Sequence, residues 1–229
     1  MLTNSLQART SMIEGQLTPS GIVDSALLTA MKLVPREFFV PHDFAAAAYT
    51  DEELPLAAGR MLIKPLVLAR LLQALALRGP ERLLIIGGAT GYSAAIAAHL
   101  VSEVVMVEEQ SELIAQGKSA IPLLHLRNVE LVETSLAAPK LEGTFDAILI
   151  EGAVQHVPAH IAALLAEGGR LAYVGNRALR QDGLRGAATG LGTLCIALKR
   201  SGGLVSMPLT EAGVTLLPGF AEESAFHFA

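Results

Sequence analysis

The sequence predicts an α/β fold built on a doubly wound, mostly parallel sheet, and three observations predict it. Five short apolar runs alternate with segments of helical spacing, the arrangement of strands linked by crossover helices. Most of the runs are continuous enough for strands buried on both faces. The first run breaks at IIGGATGY into a glycine turn that leads straight into a helix, which sets a ligand crevice at the strands' carboxyl ends.

Taken in order, residues 22–34 (IVDSALLTAMKLV) carry apolar side chains at helical spacing and stop at Pro35. Residues 41–64 lack periodicity and contain Pro41, Pro55 and Gly59, so they form a long loop of the kind that carries function. Pro65 stands at the first position of PLVLARLLQALAL, where its missing N–H is harmless, and a second helix runs to residue 77. The predicted strands are RLLIIGG (82–88), EVVMVEE (103–109), NVELVE (128–133), FDAILIEG (145–152) and GRLAYVG (169–175). Between them SAAIAAHL, SELIAQGKSAIPLLHL and PAHIAALLAE read as crossover helices. Gly183, Gly186, Gly190 and Gly192 precede TLCIALKR (193–200) and GLVSMPLT (203–210), two antiparallel closing strands.

Composition narrows the function. The 229 residues are 52% hydrophobic, enough to bury a core as one domain. A net charge of -5 with 4% aromatic residues argues against a basic, stacking nucleic-acid surface. No apolar stretch reaches the ~18 residues that span a bilayer, and MLTNSLQARTSM lacks the order of a signal peptide, so a cytoplasmic protein is expected. The single cysteine, Cys195, reads as a buried thiol, without a partner for a disulfide or a CxxC zinc site.

Gly87, Gly88 and Gly91 permit a turn in which helix-start N–H groups meet a cofactor. Glu108 and Glu109, at the end of the next strand, stand where a carboxylate accepts from ribose hydroxyls. The dinucleotide pattern GxGxxG is not met, because Ala89 and Tyr92 occupy its second and third glycine positions. The shorter GxGxG-type loop of S-adenosylmethionine enzymes fits with the one substitution, Ala89. A tight turn with a solvated carboxylate pair is the structural alternative.

The order of further segments carries a resemblance. GQLTPSGIVDSALLTAMKLVPREFFVP, AYTDEELPLAAGRMLIKP, LLIIGGATGYSAA, VVMVEE, FDAILIEGA and VPAHIAALLAEGGRLAYVG resemble the layout of protein-L-isoaspartate O-methyltransferases over about residues 8 to 176. VPREFFVP and AYTDEELPL are the most specific parts. The resemblance implies the Rossmann-like fold of S-adenosylmethionine-dependent methyltransferases, with N-terminal helices and C-terminal antiparallel strands. It also implies carboxyl methylation of isoaspartyl residues in damaged proteins or peptides. On this reading residues 1–78 hold the helices and substrate loop, 79–176 the cofactor-binding core and 177–229 the C-terminal strands and tail, all in one domain.

The departures fall on the chemistry. The family's GQTISQP is similar to GRMLIKP here, so Met61 and Ile63 replace a threonine and a serine, and no catalytic residue is assigned at Ile63. In the family's LEIGTGSGY, Ile85 stands for the glutamate and Ala89 for the middle glycine. The adenine-binding aspartate of a GDG corresponds to Ser135, between Thr134 and Leu136. Each lost hydrogen bond to a buried polar group costs ~1–3 kcal/mol, so weakened cofactor binding is expected. The rival from a different class is an inactive descendant that keeps the fold as a binding or regulatory module, with homodimerisation as an option. A third is a methyltransferase with another acceptor.

Other residues complete the candidate site. Glu151 and Gly152 close the fourth strand at the crevice edge, Glu151 as a lining carboxylate or base, or as an exposed loop residue. Arg60 and Lys64 flank the degenerate segment, either pairing with a substrate carboxylate or lying in solvent. Tyr49 and Asp51 match the family pattern and position the substrate loop, a capping role for Asp51 being equally consistent. His156 and His160 are four apart, but Pro158 between them argues for a solvated helix start rather than a metal site. Phe220, Phe226 and Phe228 give the tail an apolar content that docks on the domain or on a second copy.

Overall fold

Asp24 starts a helix that packs against the helices covering the sheet: its carboxylate accepts from the amides of Ala26 and Leu27, both at 3.0 Å. The structure, a computed structural model, describes residues 2–175, 189–201 and 203–220. Helix α1 (Leu2–Met12) continues into a π-helical turn at Ile13–Leu17, and α2 (Ser25–Leu33) ends before Pro35. The 41–64 loop contains 3₁₀ turns and a hairpin in which β1 (Leu54–Pro55) pairs with β2 (Met61–Leu62). Helix α3 (Pro65–Leu75) opens on its proline and stops at Ala76, whose φ of 46° is left-handed.

Seven strands follow: β3 (Arg82–Ile86), β4 (Glu103–Glu108), β5 (Val129–Glu133), β6 (Phe145–Val154), β7 (Leu165–Gly175), β8 (Thr189–Arg200) and β9 (Gly203–Thr215). Their order is β5-β4-β3-β6-β7-β8-β9, parallel through β7 and antiparallel thereafter. The chain moves outward from β3 to β5 and then returns to β6 beside β3. That reversal opens the crevice between their carboxyl ends. Helices α4 (Tyr92–Ala97), α5 (Ser111–Ala120) and α6 (Ala159–Ala163) make crossovers.

The period of two along each strand divides the core. Leu83, Ile85, Val104, Met106 and Leu149 face the layer that holds α2, α3 and α4. Leu84, Ile86, Val105, Val107, Ile148 and Ile150 face α6 together with Leu136, Leu217 and Phe220. Residues beyond β9 therefore form part of the second core face.

Several boundaries differ from expectation. The helix read through PAHIAALLAE stops at Ala163, because Leu165 pairs with Phe145 and sheet pairing overrides the helical propensity of the segment. Strand β8 starts four residues earlier than Thr193, and β9 continues five residues past Thr210. Gly183, Gly186, Phe226 and Phe228 lie outside the described residues. Cys195 is a buried free thiol. No described helix is long and apolar enough to cross a membrane.

Candidate functional site

Strand register builds the site. Ile86 pairs with Val107 on one side and Ile150 on the other, so Gly87, Glu108 and Glu151 stand side by side at the sheet's carboxyl edge. The Gly87 amide donates to the Val107 carbonyl at 2.9 Å, and φ of 76° at Gly87 turns the chain away from β3. Gly91, with φ of 93°, then begins α4. Between them Ala89 holds φ of 51°, a left-handed conformation that costs an L-residue roughly 1–2 kcal/mol.

Glu108 is fully buried and richly bonded. It accepts from the amides of Ala89 at 3.1 Å, Glu109 at 3.0 Å and Gln110 at 3.4 Å. Its remaining partner is Arg60, whose Nη2 lies 3.1 Å from Oε2 and also donates to the Gly87 carbonyl at 2.7 Å. The Leu56 amide donates to the Arg60 carbonyl and the Arg60 amide to that of Ala57, so the β1–β2 hairpin fixes the arginine over the glycine turn. Arg60 is only 4% exposed, which corrects both sequence-based options for it. Glu108 pairs with this buried guanidinium within the protein itself.

The end of the described chain lies along the other side of the crevice. The Leu217 amide donates to the Ala153 carbonyl at 2.8 Å, and the Gln155 amide donates to that of Phe220 at 3.4 Å. The Leu217 side chain is fully buried against both crevice glycines: a Cβ built at Gly87 would lie 2.6 Å from its Cδ1, and one at Gly152 3.0 Å from its Cβ. Phe220 is buried in the same cluster as Leu136, on the side of Ser135, and Gly219 abuts Ala137. Glu53 anchors the segment, accepting from the Thr215 amide at 3.0 Å and hydroxyl at 2.8 Å. The backbone cradle has the form that suits a nucleoside cofactor, with Leu217 and Arg60 lying against the glycine turn.

Behind the turn lies a second buried polar group. Glu151 is buried within β6, not exposed in a loop, because β6 runs on to Val154. Neither of its oxygens has a hydrogen-bond partner of good geometry among the described residues. Burial pushes its pKa up to about 7, although the Ser93 hydroxyl and the Arg60 and Arg36 guanidinium groups lie close enough to favour the charged form. Arg36, from VPREFF, is also fully buried; it donates to the Ile63 carbonyl at 2.6 Å and lies 4.8 Å from the centre of the Tyr92 ring. Tyr92 is fully buried, and burial raises the pKa of its phenol.

The remaining predicted residues lie around this centre. Ser135 is exposed in the loop after β5, and the Glu109 carboxylate accepts from the neighbouring Leu136 amide at 3.4 Å. Tyr49 donates to Glu37 and receives the Arg36 amide, which ties the loop to VPREFF. Asp51 accepts from the Leu66 amide at 3.1 Å and so caps α3. Lys64 is partly exposed, 3.8 Å from Glu52. Ile63 is a core residue. His156 lies in the loop before α6, and His160 contacts the Ala137 carbonyl. Sequence reasoning missed Arg36, Glu53 and Leu217. Only Arg36 had a signal, as a charge inside the specific VPREFFVP segment.

Residues 8–185 match the family model described as Protein-L-isoaspartate(D-aspartate) O-methyltransferase. The chain belongs to this family. A protein-L-isoaspartate O-methyltransferase 2 of Anaeromyxobacter sp. (strain Fw109-5) is 41% identical over 167 residues, 72% of this chain and 68% of the relative. A protein-L-isoaspartate O-methyltransferase of Methylorubrum populi is 40% identical over 164 residues, 72% of this chain and 77% of the relative. Solved structures agree on the fold. A protein-L-isoaspartate O-methyltransferase superposes with a TM-score of 0.77 at 24% identity, covering 92% of this chain and 66% of the other. A Plasmodium falciparum structure described as a putative family member in complex with S-adenosyl-L-homocysteine gives 0.72 at 21% identity, covering 91% and 97%.

Proposed function

We propose that the chain is an S-adenosylmethionine-dependent carboxyl O-methyltransferase that acts on isoaspartyl residues of proteins or peptides in the cytoplasm. The observation that carries this reading is the rung formed by Gly87, Glu108 and Glu151 at the switch point of a family fold, with the glycine turn running directly into α4. Gly87 to Gly91 present backbone to the cofactor, Glu108 and Glu109 face its ribose, and the 134–137 loop bounds its base. Tyr49 and Asp51 hold the loop against which the acceptor lies. A carboxylate is already a nucleophile at neutral pH, so the replacement of the family serine by Ile63 removes a positioning group rather than a required base.

Ile63 in the core in place of the family serine, and Ala89 held at φ of 51° in the glycine turn, favour a second reading, a non-catalytic module that keeps the fold. One experiment separates the two: incubation with methyl-labelled S-adenosylmethionine and a peptide carrying isoaspartate, beside its aspartyl counterpart. Base-labile label on the isoaspartyl peptide alone is expected. Label on neither peptide would leave the non-catalytic reading.

A further inference from the structure

Glu151 holds the β6 place on the rung at the sheet's carboxyl edge, beside Gly87 and on the opposite side of it from Glu108. Counting in twos along β6 from Leu149 puts its side chain on the face that carries α4. Facing it are Ser93 of α4, Arg60 of the hairpin, Arg36 of VPREFF and, across the rung, Glu108. Both cations are already engaged, Arg60 with Glu108 and the Gly87 carbonyl and Arg36 with the Ile63 carbonyl. The two Glu151 oxygens are buried and have no hydrogen-bond partner among the described residues. A buried carboxylate in that state calls for a group that completes it. Carboxyl methylation itself gives it no task, because the acceptor is already ionised and needs no base.

We propose that Glu151 receives the α-ammonium group of an S-adenosyl ligand and so selects for the amino-acid end of that ligand. The proposal rests on the reading of this crevice as the cofactor site, with the ribose at Glu108. Strands β4 and β6 flank β3 and lie about 10 Å apart. A ligand with its ribose at Glu108 that crosses the Gly87 turn therefore brings its other end over β6. That end is an α-amino acid on a thioether arm, and its ammonium is the cation that an unmatched carboxylate recognises. Burial raises the Glu151 pKa to about 7, whereas a bound ammonium favours the charged form. The ligand thus displaces the carboxyl proton, and binding tightens as pH rises through neutrality.

The test is calorimetric titration of the full chain with S-adenosylhomocysteine and with methylthioadenosine, which keeps the nucleoside and lacks the amino acid. At pH 8, Glu151→Gln is expected to weaken S-adenosylhomocysteine about tenfold or more, the loss of one charge-assisted contact, and to leave methylthioadenosine unchanged. The wild type is expected to lose affinity for the first ligand between pH 8 and pH 6 and to keep it for the second. A purely structural role would move the two ligands together, and the wild-type comparison decides the matter even if the variant does not fold. Equal changes for both ligands, or none for either, would overturn the assignment of Glu151 and leave the cofactor reading standing. Absence of binding of both ligands to the wild type would overturn the cofactor reading and the proposal with it.

Discussion

Arg60 and Glu108 are 48 positions apart, and their pairing is what the residue scale contributes to the account. Glu108 is visible in sequence as a carboxylate at a strand end that follows a glycine turn. Arg60 reads only as a cation in an irregular loop, because nothing local records the hairpin that swings it inward. Glu151 was half legible: its place at the crevice edge follows from the strand pattern, but its burial depends on β6 continuing to Val154. With its pKa raised to about 7 from an ordinary value of 4.5, folded Glu151 holds a proton that the unfolded chain has released between those two values. Its stabilising contribution is complete below the lower value and is lost as pH rises through 7. Glu151→Gln is expected to match the wild type near pH 4.5 and to exceed it at pH 8 by about 1–3 kcal/mol in denaturant unfolding. Equal stability gaps at the two pH values would show that Glu151 does not titrate in this range.

At the scale of elements, the central parallel strands were legible because they are buried on both faces and read as unbroken apolar runs, as in RLLII, whereas the edge strand β5 alternates as VELVE. Helix starts were legible where chemistry marks them, at Pro65 and at the glycine turn. Ends were less so: ALLAE favours a helix locally, yet Leu165 is claimed by the sheet. Asp24 shows how much one side chain supplies to an element, since it satisfies two otherwise free amides of α2. Asp24→Ala is expected to lower unfolding free energy by about 1 kcal/mol, while Asp24→Asn keeps most of it. Urea unfolding of the two variants measures the difference, and equal losses would remove the capping account.

Over the whole molecule, the second face of the sheet owes part of its cover to residues that follow the last strand. LLPGF carries no period and reads as tail, so its docking was anticipated for Phe220 but its place in the crevice was not. That place depends on three sequence-distant partners, Gly87, Gly152 and Glu53, which only the folded chain brings together. The same segment therefore completes the core and lies beside the site. Hydrogen exchange across residues 85–92, with and without saturating S-adenosylhomocysteine, tests the cofactor reading most directly. The amides of the glycine turn are predicted to gain protection when the ligand is bound. Unchanged protection there, with no heat of binding, would contradict the account.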